Sequence, residues 1–521
     1  MSNPSPIAPP GRAAIGGLIA AAVALAMTEL IGSIGNPASP TIISAVGSRF
    51  IDRAAGSLKD FAVRVFGTND KPALLTGIVA ICLILGALLG LANRRNRLYG
   101  IVGFVIFGII GLFAGLADPQ AEGLRIAVSA IGAVFAGIAV LEVLVRRDGA
   151  LIARRPAPVT APADPAVHGG DRRSFLRAAG SASAFAVVAA TGANSLRGAS
   201  PAATSRAATT LPLPKRRAKV PTDKFAVTDL SPYVTPLDSF YRIDTALTVP
   251  QINASTWKMT IKGMVDREVS FTYADLLAMD LVEEVVTISC VSNEVGGGLV
   301  GNAVWTGVPL TTLLDRAGVR SGATQIVGRS VDDFTVGFPT EKVRDGRTAL
   351  VAIGMNGEPL PVAHGFPARL VVSGLYGYVS ATKWLKEIEL TRLEDYDAYW
   401  INRGWSKDGP IKTQSRIDTP KSGAQLPFGK VAVAGVAWAP SRGISKVDVQ
   451  IDNGEWVPAQ LGDATSNNTW VQWLYPWDAT RGTHTITVRA TDATGAVQTA
   501  ERADPAPSGA TGLHSRRVVI A

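Results

Sequence analysis

Cysteine is nearly missing from this chain of 521 residues, which has two, Cys82 and Cys290. Cys82 lies inside an apolar run, so a disulfide framework and a cysteine cluster for iron–sulfur are both excluded. Histidine is almost as scarce, with His168, His364, His484 and His514. None falls in a long apolar run, which excludes a membrane haem held by two histidines of this chain. Gly296-Gly297-Gly298 lacks a strand–GxGxxG–helix context, so a dinucleotide fingerprint is absent as well. The formal charge is +9, but no basic stripe interleaved with aromatics accompanies it, which argues against nucleic acid. The arginines cluster beside apolar runs instead.

Four such runs stand out, at residues 13–34, 73–92, 98–117 and 124–145. Each is near the ~20 residues that cross a bilayer core as a helix. Their glycine and alanine content suits close helix packing in lipid. The basic loop holding Arg94, Arg95 and Arg97, and the segment with Arg146, Arg147, Arg154 and Arg155, point to the cytoplasm. Loop 118–123 carries no positive charge and points outward. Loop 36–72, with Arg49, Arg53, Lys59, Arg64 and Lys71, opposes that orientation with less contrast. Within it, residues 51–66 show helical apolar spacing, as for a helix lying along the outer surface. Glu29 sits near the outer end of the first run, within reach of the interface.

A second export signal follows in mid-chain. Asp171-Arg172-Arg173-Ser174-Phe175-Leu176-Arg177 precedes a mildly apolar stretch to residue 193 and resembles a twin-arginine signal. The alternative is a basic flank for an ordinary fifth helix. Either way a fifth span over about 177–195 is expected, and it leaves the C-terminus outside the cytoplasm. Residues 156–170 and 197–224, rich in Ala, Pro, Ser, Thr and Arg, read as flexible linkers. The expected organisation is a four-span membrane domain (1–150), a linker region (151–224), one soluble domain (225–410) and another (411–521).

The first soluble domain alternates strand and helix signals. Residues 273–279 and 310–317 are predicted helices, and 285–290, 325–327, 335–339, 350–353 and 368–372 are predicted strands, giving an α+β domain. From about residue 421 alternating short strands separated by turns, at 430–437, 444–451, 470–474 and 484–489, predict a β-sandwich.

Cys290 stands where the run Val285-Val286-Thr287-Ile288-Ser289 opens into a polar, glycine-rich loop. From position alone it is a packing residue, a nucleophile or a metal ligand. Downstream come Gly301-Asn302-Ala303-Val304-Trp305, Met355-Asn356-Gly357-Glu358-Pro359-Leu360-Pro361, His364-Gly365-Phe366-Pro367-Ala368-Arg369 and Lys383-Trp384-Leu385. In that order, from about residue 239 to the C-terminus, the chain resembles the sulfite oxidase family of molybdopterin enzymes. The resemblance implies an α+β molybdopterin domain followed by an immunoglobulin-like sandwich that often mediates dimers. It thus allows a homodimer.

The resemblance also implies a molybdenum–molybdopterin cofactor with Cys290 as the metal's protein ligand, thiolate being suited to a soft redox metal. It assigns His364, Arg369 and Lys383 to the pterin and its phosphate, and Asn293 and Trp305 to the same site. Gly374 and Gly377 would let backbone approach the pterin. Arg242 matches an arginine near the metal, and Arg442 a third anion-binding arginine from the sandwich. Three positions depart from the family pattern. Asp244 stands where the family has histidine, Glu294-Val295 where sulfite oxidases have arginine, and Ile353 where they have tyrosine. A doubly charged oxyanion needs several cations, so neither sulfite nor nitrate fits well, and a sulfoxide or N-oxide fits better.

The resulting expectation is a membrane-anchored, extracytoplasmic oxidoreductase that transfers an oxygen atom to or from a small-molecule substrate. With no haem, iron–sulfur or flavin signature, it would exchange electrons with a separate partner. Two alternatives stand beside it. One is a membrane-tethered binding module that kept the fold without the metal. The other is a cysteine-nucleophile enzyme with His364 as its base.

Overall fold

The computed structural model describes residues 8–35, 39–53, 65, 70–145, 167–196 and 200–521. The chain divides into two compact units, Met1–Pro201 with Ala246–Gln251, and Ala202–Thr245 with Ile252–Ala521.

In the first unit, five helices are long and apolar enough to cross a membrane: Pro10–Gly32, Lys71–Arg95, Arg97–Leu116, Gly123–Val145 and Phe175–Ala193. They overlap all four expected runs and the fifth, with ends shifted by up to three residues. Close helix approach uses glycine: a Cβ on Gly90 would lie 2.0 Å from the Ala13 carbonyl oxygen. A helix spans Ile42–Arg53, and the expected surface helix at 51–66 falls mostly on residues that are not described. Residues 54–64 and 66–69 of that stretch, Arg146, Arg147, Arg154, Arg155 and linker residues 156–166 lie outside the described residues. Arg172 and Arg173 fall on the helix Val167–Leu196, which starts ten residues before the expected span.

The second unit holds two domains. The first is built from β1 (Lys258–Gly263), β2 (Val269–Thr272), β3 (Val282–Ser289), β4 (Val300–Pro309), β5 (Gln325–Ser330), β6 (Thr335–Pro339), β7 (Ala349–Met355), β8 (Glu358–Pro359), β9 (Arg369–Val372) and β10 (Leu385–Thr391). One sheet runs β2-β1-β10-β5-β6, and the other β3-β4-β7-β8 with β9 on β7. The helix Tyr273–Leu277 starts from a capping box in which Thr272 and Asp275 satisfy each other's backbone N–H. In the helix Leu310–Ala317, Leu310, Leu313, Leu314 and Ala317 form one buried face, and Gly318 ends it in the left-handed region. Both helices begin where the sequence places them. β1, β2, β4, β8 and β10 have no counterpart among the predicted strands.

The second domain comprises β11 (Gln414–Thr419), β12 (Gln425–Leu426), β13 (Gly429–Trp438), β14 (Ile444–Ile451), β15 (Val457–Pro458), β16 (Gln460–Leu461), β17 (Val471–Ala479), β18 (Gly482–Asp492) and β19 (His514–Ile520). Sheets β11-β13-β17-β16 and β12-β19-β18-β14-β15 enclose a core of Val433, Val447, Trp473, Val488 and Val518.

The second expected linker requires correction. From Ala202 onward it belongs to the second unit. Arg206 donates to the carbonyls of Pro359 and Leu360, both at 3.0 Å, and pairs with Glu358 at 2.9 Å. Lys215 N–H donates to Leu281 O at 2.8 Å, and Arg216 bridges Val282 in parallel. Ala/Pro/Arg composition resembles a linker, but these backbone groups extend the edge of β3.

Trp473 is fully buried, and its indole N–H finds no partner among the described residues. Trp473→Ala should therefore cost about 3–5 kcal/mol. Trp473→Phe, which removes the unsatisfied N–H, should cost less than half of that. Urea unfolding of the detergent-solubilised chain, followed by sandwich tryptophan fluorescence, checks both.

Candidate active site

Strand β3 is buried from Val285 to Ser289, and it ends one residue before Cys290. Its ladder to β4 runs to the pair Ser289–Val300, so the intervening residues form a closed loop. Cys290 N–H donates to Leu299 O at 2.9 Å, Asn293 N–H to Cys290 O at 3.1 Å, and Leu299 N–H to Asn293 Oδ1 at 2.7 Å. Asn293 thus closes the loop with its side-chain oxygen. Cys290 is half-buried at the edge of a cavity of about 140 Å³. Tyr241, Asp244, Ser292, Asp332, Arg369, Gly377 and Lys383 line the same cavity. Burial pushes the Cys290 thiol up, against the opposing pull of Ser292 hydrogen bonds and the Lys383 charge.

Arg369 opens β9 and is 3% exposed. Its guanidinium lies 5.0 Å from the centre of the Trp305 ring and donates to His364 O at 3.1 Å. Among the described residues no carboxylate lies within ion-pair distance of it, and burial pulls its pKa down to about 10. A buried charge matched only by carbonyls and a ring face is costly. An anion in the cavity would relieve that cost. Trp305, fully buried on β4, donates from Nε1 to Val286 O at 3.2 Å and serves as the floor under Arg369.

Lys383 is differently placed. Its Nζ donates to Asp244 Oδ2 at 3.1 Å and to Ala363 O at 3.3 Å. Arg242 Nε donates to the same Asp244 oxygen at 2.8 Å. Burial lowers Lys383 to about 8, partly offset by Asp244. His364 ends a short 3-10 turn, Val362–His364, and packs edge-on to Phe240. Burial, then Arg369, Lys383 and Arg242, hold its pKa down at about 3, so the ring is neutral.

Cys290, Arg369, Lys383 and Gly377 line the cavity, and Trp305 and His364 support Arg369. Arg242 reaches the cavity only through Asp244, and Gly374 and Arg442 do not line it. Gly374 has φ +79°, and a Cβ there would lie 2.5 Å from Ser441 Oγ, so its glycine serves a tight turn packed on the sandwich. Arg442 pairs with Asp492 at 2.9 Å and donates to Ile411 O and Thr413 Oγ1. It is not among the cavity residues. Asp332 and Tyr241 are among the ionisable cavity residues to which sequence reasoning assigned no role. Asp332 lies in the β5–β6 turn, its pKa raised by burial and further by Asp244. Tyr241, next to Arg242 in sequence, has its phenol pushed up by burial and by Cys290.

The donor set fits a molybdopterin: one thiol, one uncompensated guanidinium and one partly compensated ammonium around a single cavity. A family profile described as an oxidoreductase molybdopterin binding domain matches residues 246–400, and one described as a bacterial Ig domain matches 414–488. The second unit therefore carries a molybdopterin-binding oxidoreductase domain joined to an immunoglobulin-like sandwich. YuiH of Bacillus subtilis, an oxidoreductase, is 32% identical over 153 residues, 29% of this chain and 74% of its own length. The mitochondrial sulfite oxidase of Rattus norvegicus is 29% identical over 272 residues, 44% of this chain and 49% of its own length. The sulfite oxidase of Arabidopsis thaliana is 26% identical over 303 residues, 47% and 77% respectively. The chain belongs to the sulfite oxidase family. It spans about half the length of the first curated relatives it matches.

The His364 pKa, lowered in the fold, contributes stability that is full above the unfolded value near 6.5 and is lost as pH falls toward about 3. In chain prepared without cofactor, His364→Gln should flatten the acid side of the stability profile by up to one proton, or ~1.4 kcal/mol per pH unit. Thermal unfolding at pH 7 and pH 4.5 reads the difference.

Proposed function

We propose that this chain is a membrane-anchored molybdenum-cofactor oxidoreductase that moves an oxygen atom to or from a small substrate. The observation that carries the proposal is the shared cavity of Cys290 and the buried, carboxylate-free Arg369. Cys290 would ligate the metal. Arg369 and Lys383 would hold the pterin's phosphate, with neutral His364 and Trp305 keeping Arg369 in place. Gly377, at the start of a short helix on the cavity wall, keeps that wall free of a side chain. The bound molybdenum would supply two-electron oxygen-atom exchange. The electrons would go to or come from a separate partner protein.

Charge inside the cavity supports a neutral substrate over sulfite or nitrate. Two carboxylates, Asp244 and Asp332, line it beside two cations. Arg442, the additional cation expected from the sandwich, is committed to Asp492. A sulfoxide or N-oxide brings no extra negative charge and matches that balance. The five apolar helices and the cytoplasm-facing arginine clusters support an anchored chain with its catalytic half outside the cytoplasm. The Arg172-Arg173 pair suits export of that half already folded. The sandwich offers a surface for a homodimer.

Metal and pterin analysis of the full chain, purified in detergent from a cofactor-competent host, tests the class. One molybdenum per chain is expected. Cys290→Ala, which removes a ligand, should lose more than the ~10–100-fold in retention that outer-shell changes cost. A folded chain holding neither metal nor pterin would sink the proposal. For the substrate, loaded enzyme supplied with a reduced dye should turn over dimethyl sulfoxide or trimethylamine N-oxide. Sulfite oxidation at a higher kcat/KM than reduction of either would reverse the assignment.

A further inference from the structure

The loop that presents Cys290 is held from the sandwich at both of its ends. At the loop itself, Arg416 of β11 donates from Nη1 to Gly297 O at 2.9 Å. The same guanidinium pairs with Asp418 at 2.6 Å and donates to Ser231 Oγ at 2.8 Å, with Asp418 in turn accepting from Ser231 N–H at 3.0 Å. Both charged side chains are buried, at 12% and 6% exposure, so the guanidinium is fixed by several bonds and not free to swing.

A second contact comes from the last strand. His514, at the start of β19, accepts Ile417 N–H at Nδ1 over 2.9 Å, which fixes its ring orientation. That ring lies against Gly296: a Cβ there would be 2.3 Å from His514 Cδ2, and Gly296 has φ +76°. The loop backbone therefore runs directly on the histidine, with space for no side chain between them.

The third contact reaches the strand that feeds the loop. Asn468 O, just before β17, accepts Thr287 N–H at 2.9 Å, and Trp470 N–H donates to Thr287 Oγ1 at 2.7 Å. Thr287 lies three residues before Cys290, and its hydroxyl donates to Asn302 Oδ1 on β4 at 2.9 Å. Within the first domain, the loop's internal closure comes from Asn293 and two short turns. A ligating group has to be held to within about 0.5 Å, and for a loop running from residue 290 to 299 that calls for support from packed neighbours outside the loop.

We propose that the sandwich acts as the clamp that sets the position of the Cys290 thiol, with Arg416 and His514 as positioning residues. The proposal rests on Cys290 being the functional thiol, and it gives the sandwich a role inside each chain, separate from any dimer contact. Arg416 and His514 touch the loop backbone and act on the thiol only through it.

Alkylation of metal-free protein tests this without relying on activity. Full chain from a host unable to make the cofactor would be reacted with iodoacetamide in detergent, with peptide mapping to separate Cys290 from Cys82. Arg416→Met should raise the rate constant at Cys290 by about tenfold, as expected for losing a buried charged hydrogen bond. Arg416→Lys, which keeps the charge beside Asp418, should recover part of the protection. Val488→Ala is the control, since Val488 is fully buried in the sandwich core and away from the loop. A rate in Arg416→Met within about twofold of wild type would overturn the clamp, the expected loss being several times larger. An equal rise in Val488→Ala at matched thermal stability would do the same, because general loosening would then explain it. Metal analysis of loaded wild-type chain stays a separate measurement. A chain without molybdenum whose thiol still answers to Arg416 would defeat the cofactor assignment and leave the clamp standing.

Discussion

The guanidinium of Arg369, buried on the face of Trp305 and surrounded by carbonyls, is the interaction to which the rest of the site is fitted. Trp305 is fixed by β4 and by its bond to Val286 on β3, the strand that leads to Cys290. Arg369 itself opens β9, which pairs with β7 in the same sheet. One sheet therefore sets the distance between thiol and cation. Around that fixed charge, His364 is held neutral, and Lys383 leans on Asp244. Arg369 has no carboxylate within ion-pair distance among the described residues, which is the condition an anionic ligand resolves.

Much of this was legible in the sequence, for identifiable reasons. The helix Leu310–Ala317 shows its buried face in the spacing of its leucines, and Cys290, Arg369 and Lys383 could be found because the motifs around them keep their order. β4 was hidden because it is buried on both faces over most of its length and so shows no alternation. Asp332 lacks any motif and reaches the cavity only through the fold of the β5–β6 turn. Arg442 illustrates the opposite failure. Its position matched a pattern, but Asp492, fifty residues away in sequence, determines where its charge is spent. Gly374 failed similarly, since a glycine can mark close approach to a ligand or to Ser441, and sequence alone does not choose.

The departure at Asp244 has a physical reading of its own. A carboxylate at that place binds Arg242 and Lys383 through one oxygen, so two cations that would otherwise add to the cavity's positive field are partly neutralised. Where a histidine would leave the field strong, aspartate tempers it. The charge that the cavity presents to a ligand is thus set as much by internal counter-charges as by the cations themselves.

The segment leading into the second unit has the composition of slack rope, yet it is stitched down at two places before it reaches the strands. Arg206 grips the β8 turn through two carbonyls and a carboxylate, and residues 215 and 216 lie along the start of β3. A pull arriving along the chain from the anchor would be borne first by the β8 turn, then in shear along a strand edge. The thiol lies at the opposite end of that strand. A load carried along this segment would in this way be taken up before it reached the Cys290 thiol.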